Sequence, residues 1–497
     1  MPLLRFVRLV VGRLARGGRW LAGAVLAVAA FNLAFRVGNE LVQVWDESLY
    51  AISAGEMVTS GDWIGQTFLG AIDYYNSKPP LHMWLVALAF TEFGPSLVSL
   101  RLPAMIAAWL TVAILVWWGS RAFGRAVGVM AGLVLATCYG FLYVHSGRSG
   151  NSDSLFTLLV LLTVVTVWAA DERPWRRAWL GVIVGLVFMV KGMGILMPLI
   201  VIGGVELGSR RQVRPRWLPL VAAAGLFAVI VAPWAVARWR FDGWRFFDAL
   251  FFQDFIARAS SVLDGHEETP YYYLYVLQKH HYDWLVAALV ALVCLPARWR
   301  RLRALVMPEG GDRANTVLIA SWCAATLILP SVVVTKLEWY LNSFYPLFAL
   351  GVAWLVVEAW RATAQAHRAR AMAVAATAAL AFAVAEGKLA WHSYRLLDVD
   401  RSAQSLILGH RPEVAGRRVF ATEWPHSDRF VVRSVGGRCI VAPDVEAFLA
   451  GGSDGDFWLG TPNPDTRLVP VASTERQTLY RRAHWDGSEG PRPHSPD

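Results

Sequence analysis

Residues 155–170, LFTLLVLLTVVTVWAA, and residues 218–235, LPLVAAAGLFAVIVAPWA, decide the fold. Each is apolar on every side of a helix, and neither alternates polar with apolar as a membrane barrel strand must. Runs of this kind are spread over about three quarters of the chain, and 56% of its 497 residues are hydrophobic against 17% charged. One soluble core does not bury that much apolar surface. The fold class expected is therefore an all-α polytopic membrane protein. Disordered chains, secreted disulfide scaffolds and soluble doubly wound enzymes are excluded, since none carries repeated runs of membrane-spanning length.

The formal charge of +10 does not point to nucleic acid, because the basic residues sit in short loops between apolar segments and line no single polar face. They read as topology signals. Arg5, Arg8, Arg13, Arg16 and Arg19 precede the apolar run from Leu21 to Phe35, which is taken as an uncleaved anchor with its arginines in the cytoplasm, although Ala27-Val28-Ala29 has the small residues of a cleavage site. About eleven spans follow from this start, and at most thirteen: 20–36, 97–119, 126–145, 154–170, 176–190, 193–207, 216–236, 284–297, 313–333, 339–359 and 370–387. The loops then placed inside hold Arg121 and Arg125, Arg173 to Arg177, Arg210 to Arg216, Arg298 to Arg313, and Arg361 to Arg370. The apolar run Leu81 to Phe93 is too short to span and is expected to lie in the outer interface; as a span it would put those arginines outside.

Three polar regions fall outside: loops at about 37–96 and 238–283, and a tail. The chain divides into a transmembrane domain, 1–387, and a C-terminal soluble domain, 388–497. The tail's strand-like runs Val419–Thr422, Phe430–Val432 and Arg438–Val441, set among Gly, Pro and Asp turns, suggest a small extracytoplasmic α/β fold. Cys138, Cys294, Cys323 and Cys439 show no metal-binding spacing.

The placement of charge narrows the chemistry. No Asp, Glu, Lys or Arg falls near mid-membrane in these spans, where coupled transporters usually need them; Arg101, Glu206, Glu358 and Glu386 all sit near span ends. The outer boundary instead gathers Asp46, Glu47, Lys78, Arg148, Asp153, Lys191 and Lys336. Acids and bases at headgroup depth suit a reaction on a lipid-linked anionic substrate whose tail stays in the bilayer. All five lysines, Lys78, Lys191, Lys279, Lys336 and Lys388, fall on that side. Plainer readings stand beside this one: snorkelling for any single lysine, and helix capping for Asp46, Glu47 and Asp153.

The run Trp45-Asp46-Glu47-Ser48-Leu49-Tyr50, then Gly61-Asp62-Trp63, Lys78-Pro79-Pro80-Leu81 and Arg101-Leu102-Pro103, resembles the superfamily of protein O-mannosyltransferases and lipid A aminoarabinose transferases. These are C-type (GT-C) glycosyltransferases that use polyprenyl-phosphate sugars. The resemblance continues through Arg148-Ser149-Gly150-Asn151-Ser152-Asp153, Lys191-Gly192, Phe251-Phe252 with Arg258, and Lys336 with Tyr340 and Pro346, in order over about residues 40–350. It implies Asp46 as catalytic base, Glu47 beside it in a supporting or acceptor-contact role, and Asp153 as the second acid. It also implies Tyr50, Lys78, Arg258 and Tyr340, helped by Lys191 and Lys336, as holders of the donor phosphate. A single inverting displacement is the expected reaction.

The pattern departs in places. Leu49 replaces one polar contact, Ser77 stands where many relatives have Glu, and no His aligns with the one those relatives place near a metal. A divalent metal through Asp46, Asp153, Asp254 or His266 stays open, and no cofactor is required. The expected function is transfer of one sugar from a polyprenyl-phosphate donor to an envelope glycan, lipid or protein, at the outer face of a bacterial-type inner membrane. The alternative is a non-enzymatic flippase or sensor scaffold.

Overall fold

The computed structural model describes residues 18–170, 173–208, 217–252, 268–295, 313–395 and 402–482. Asp254, Arg258 and His266 lie outside the described residues.

The chain is a mostly helical multi-pass membrane protein with a small sheet-bearing C-terminal part. Seven helical stretches among the described residues are long and apolar enough to cross a bilayer, from Trp20–Asn39 to Arg368–Tyr394. Shorter apolar helices, Leu81–Phe93, Arg125–Ala136 and Asp153–Ala169, stand among them. The stretch Pro174–Gly208 is not one rod: Gly192 adopts φ 48°, and a Cβ there would come within 2.7 Å of Leu250, so the chain breaks into the helices Trp179–Lys191 and Leu196–Gly208. The expected span 126–145 is shorter than drawn. Its helix stops at Ala136, where the Thr137 hydroxyl turns back onto the carbonyls of Leu133 and Val134, and a separate short helix covers Tyr139–Tyr143. The boundary at 238 also moves: the helix Trp217–Asp242 runs on, and Arg238 donates to the carbonyls of Ile64 and Gly65 at 2.7 and 2.8 Å, tying the C-terminal end of this helix to the segment before Lys78.

Exposed aromatic residues stand near helix ends: Trp117, Trp175 and Trp179 beside the arginine-bearing turns, and Trp239, Trp391 and Tyr394 near the C-terminal ends of Trp217–Asp242 and Arg368–Arg395. Rings with one polar edge favour the zone where headgroups meet hydrocarbon.

In the C-terminal part the strands β1 (Arg418–Ala421), β2 (Arg438–Val441), β3 (Phe457–Gly460), β4 (Leu468–Ser473) and β5 (Thr478–Arg482) form one sheet in the order β2-β1-β3-β5-β4. β1 pairs parallel with β2 and β3, and β5 pairs antiparallel with β3 and β4. The expected strand Phe430–Val432 is instead part of the helix His426–Ser434. Three apolar residues do not distinguish the two periods; the burial of Ser427, Phe430 and Val431 at i, i+3 and i+4 does. The last long helix, Arg368–Arg395, carries the chain past residue 388, and Lys388 in it pairs with Asp283 at 2.8 Å.

This C-terminal part does not stand apart. Leu406, Ile407, Phe430 and Val431 share one apolar core with Tyr50, Ala54, Met57, Val86 and Phe90 from the outer helices Asp46–Ser60 and Leu81–Phe93. The rings of Phe90 and Phe430 stack at 5.8 Å. The Gln404 amide accepts from the Val42 N–H at 2.7 Å and donates to the Val42 carbonyl at 3.2 Å, four residues before Asp46.

Candidate active site

Two buried arginines fix the backbone between the first span and the outer helix. Arg101, 1% exposed, holds Glu47 through Nε at 2.7 Å and Nη2 at 3.3 Å, and donates to the carbonyls of Val37, Glu40 and Leu41 at 2.6, 3.1 and 3.0 Å. Arg148, from the loop before the Asp153–Ala169 helix, binds the Glu40 carboxylate and the carbonyls of Asn32, Leu33 and Phe35. Glu47 closes the frame by accepting from the Gly150 N–H at 2.7 Å and the Gln43 N–H at 2.8 Å. Gly150 admits no side chain, since a Cβ would lie 2.7 Å from Leu100. The segments carrying Asp46 and Asp153 are therefore held in one fixed relation.

On that frame stand two carboxylates, each in the first turn of a helix. Asp46 opens the Asp46–Ser60 helix and Asp153 opens Asp153–Ala169, where the positive end of the helix dipole favours their charge. Neither is the capping residue: Trp45 and Ser152 occupy the cap positions and make no side-chain cap bond. The carboxylates reach instead for lysines. Asp46 lies 3.2 Å from the Lys78 ammonium, and Asp153 lies 2.6 Å from that of Lys191. The Gln66 amide, donating to the Lys78 carbonyl at 3.0 Å, and the Asp73 turn, accepting from the N–H groups of Tyr75 and Asn76, position Lys78. The break at Gly192 positions Lys191, the last residue of its helix, where the dipole favours a cation. Burial opposes the charged form of Asp46, but its neighbours, Lys78 above all, outweigh it and hold the carboxyl below its ordinary range.

Both ion pairs face one cavity of about 730 Å³. Its lining combines the polar Asp46, Lys78, Asp153, Lys191 and Tyr340 with the apolar Phe156, Met197, Leu329, Val333 and Leu337. Lys78 stands 5.4 Å from the ring of Tyr50, and Lys191 stands 5.2 Å from Phe156 and 5.7 Å from Tyr340, so each ammonium rests against aromatic faces. Five of the nine residues named from the sequence thus meet at one surface.

The others are placed differently. Glu47 is fully buried in its Arg101 pair and is not part of this cavity's lining, which places it in the frame. Tyr50 lies beneath Lys78 with its hydroxyl 3.3 Å from Ser152; burial pushes that phenol to about 12, so it stays protonated. Lys336 is buried, with its ammonium on the Val333 carbonyl at 2.9 Å, and does not line the cavity. Arg258 lies outside the described residues. The sequence reading did not single out His145 and Trp339, which stack at 3.8 Å on the cavity wall. A histidine three residues before Arg148 in an outer loop was the available signal.

Among the described residues no three His, Cys, Asp or Glu gather closely enough to hold a metal ion. The two candidate acids that are described, Asp46 and Asp153, are each already neutralised by a lysine, which leaves no uncompensated acidic pair for a divalent cation.

The family model of dolichyl-phosphate-mannose-protein mannosyltransferases matches residues 77–236. An undecaprenyl phosphate-alpha-4-amino-4-deoxy-L-arabinose arabinosyl transferase of Pseudomonas savastanoi is 30% identical over 336 residues, which are 65% of this chain and 59% of that protein. One from Edwardsiella ictaluri is 29% identical over 67% of this chain and 58% of its own length. The chain thus spans less than two thirds of the length of the curated relatives it matches. Among solved structures, ArnT of Cupriavidus metallidurans bound to undecaprenyl phosphate superposes with a TM-score of 0.66 at 16% identity, covering 94% of this chain and 99% of that one. The fold is the same.

Proposed function

We propose that this chain is a C-type glycosyltransferase that moves one sugar from a polyprenyl-phosphate donor to an envelope acceptor at the extracytoplasmic face of the membrane. The observation that carries this reading is the pair of carboxylate–ammonium contacts in the lining of a cavity that is otherwise largely apolar. A phosphate needs fixed cations, a prenyl tail needs hydrocarbon, and an acceptor hydroxyl needs a base; groups suited to all three line this one cavity.

Lys78 and Lys191 would take the donor phosphate, with Tyr340 beside it, and the tail would run along Phe156, Met197 and Leu329. Drawing Lys78 to the phosphate loosens its hold on Asp46. That carboxylate then accepts the acceptor's hydroxyl proton while the new bond forms at the anomeric carbon and the bond from that carbon to the phosphate oxygen breaks. The negative charge left on the polyprenyl phosphate is held by the two ammonium groups. Asp153 keeps Lys191 oriented throughout.

Purified protein in lipid nanodiscs, given undecaprenyl phosphate carrying a radiolabelled sugar together with extracted envelope glycolipids, should move label to an acceptor and release undecaprenyl phosphate in equal amount. Label that stays on the donor, with every extracted acceptor fraction, would count against transfer.

A further inference from the structure

His145 lines the cavity, and the proposed chemistry gives it no task. Its backbone sits at φ 50°, in the left-handed region that a residue with a Cβ adopts only when its surroundings compel it. The surroundings do so here. The Gly147 and Arg148 N–H groups donate to the carbonyls of Phe141 and Leu142 at 3.1 and 2.8 Å, Ser149 N–H donates to Ser146 at 2.9 Å, and the Asn342 amide donates to the Val144 carbonyl at 2.9 Å. The loop is thus fastened on both sides of His145, and the imidazole projects onto the cavity wall between Asp46, Asp153 and Trp339.

Two further features are those of a ligand contact. The imidazole lies flat on the Trp339 indole, with centroids 3.8 Å apart and planes 12° apart, so its orientation is fixed. Its Nδ1 is buried and has no hydrogen-bond partner among the described residues, a state a native interior seldom leaves uncorrected. Burial also lowers its basicity below that of ordinary imidazole, against the pull of Asp153 and Asp46, which keeps the ring neutral at physiological pH. A neutral, rigid donor–acceptor beside an indole is poorly suited to a phosphate and well suited to a pyranose or furanose ring, which offers hydroxyls or an amine at its rim and C–H groups on its faces.

We infer that His145 and Trp339 form the subsite that reads the sugar of the donor, distinct from the lysines that read its phosphate. The inference rests on the proposed transferase reading and deepens it by giving the sugar its own contacts. It makes His145 a specificity-determining residue, whose replacement changes which donor is preferred more than whether a polyprenyl phosphate is bound.

The test compares three lipids on the full-length protein in nanodiscs: undecaprenyl phosphate alone, the same lipid bearing 4-amino-4-deoxy-L-arabinose, and the same lipid bearing mannose. Wild type should bind at least one sugar-bearing lipid more tightly than the bare one. His145→Asn, which tolerates the left-handed backbone, and Trp339→Leu should each lose about fivefold to tenfold of that preferred affinity, while binding bare undecaprenyl phosphate within about twofold of wild type. Trp339→Phe, which keeps an aromatic face, should retain most of the preference. A wild type that prefers neither sugar, or variants that keep the full preference, overturns the subsite. So do His145→Asn and Trp339→Leu losing affinity equally for bare and sugar-bearing lipids. Wild type that binds none of the three lipids would instead overturn the transferase reading from which the subsite was inferred.

Discussion

Asp46 and Glu47 are neighbours in the chain, yet Lys78 meets the first through one contact while Arg101 holds the second through two. The side chains of Asp46 and Lys78 are 26% and 17% exposed; those of Glu47 and Arg101 are 0% and 1% exposed. A planar guanidinium fixes a carboxylate along two directions and still has donors for three backbone carbonyls, so the arginine pairs serve as joints. An ammonium is a mobile point charge on a flexible stem, and its bond to a carboxylate in a cavity lining is one that an arriving anion can take over. The same formal ion pair is thus frame in one place and reactive surface in the other, and the choice of arginine or lysine separates them.

The frame should fail most severely. Arg101→Ala or Glu47→Ala leaves an uncompensated charge in the interior, which costs about 3–5 kcal/mol, and thermal unfolding in detergent should show a protein that melts far earlier or does not assemble. Melting within a degree of wild type would erase the distinction drawn here. Next comes Asp46→Asn, which fills the same space without basicity. Transfer should fall by about 100-fold while donor affinity and melting temperature are kept. Near-normal turnover would remove Asp46 as the base.

Lys78→Ala and Lys191→Ala should each weaken undecaprenyl phosphate binding by about 10-fold to 100-fold, the loss of one charged hydrogen bond to a shielded phosphate, without unfolding the protein. Affinity unchanged in both would move the phosphate elsewhere. A smaller effect is expected at the joint with the C-terminal part. Gln404→Leu removes both amide bonds to Val42 and should lower turnover by about tenfold or less, with little change in donor affinity. A variant with wild-type turnover would show that this joint does not position Asp46.

The pH profile sharpens the lysine side of the comparison. Because Asp46 is held below the ordinary carboxylate range, it stays ionised down to that range, and its contribution to stability is present above the unfolded-state value and lost as pH falls through the lowered one. Removing the Lys78 charge leaves burial less opposed. The acid limb of the residual transfer rate in Lys78→Ala should therefore move to higher pH, and a limb that stays put or moves down would contradict the coupling.

The helical bundle was legible because membrane-spanning runs need no tertiary context to be recognised. Asp46, Lys78, Asp153 and Lys191 were legible because charge at headgroup depth is conspicuous beside apolar spans. Their pairing was not, since Lys78 reaches back 32 residues to Asp46 and Lys191 reaches 38 to Asp153. The choice between a supporting and an acceptor-contact role for Glu47 was not legible, because adjacent acids look alike in a sequence and only the arrival of Arg101 from another helix separates them. The helix at Phe430 was missed because a three-residue apolar run carries no period. His145 was missed because its strain and its stacking on Trp339 exist only once residues 145 and 339 meet.

The most direct measurement is a structure of the protein in nanodiscs with undecaprenyl phosphate bound. The account predicts the phosphate within hydrogen-bond reach of the Lys78 and Lys191 ammonium groups, the prenyl chain along Phe156, Met197 and Leu329, and Asp46 turned away from Lys78 toward the open cavity. A phosphate bound elsewhere, with the Asp46–Lys78 and Asp153–Lys191 contacts both unchanged, would contradict it.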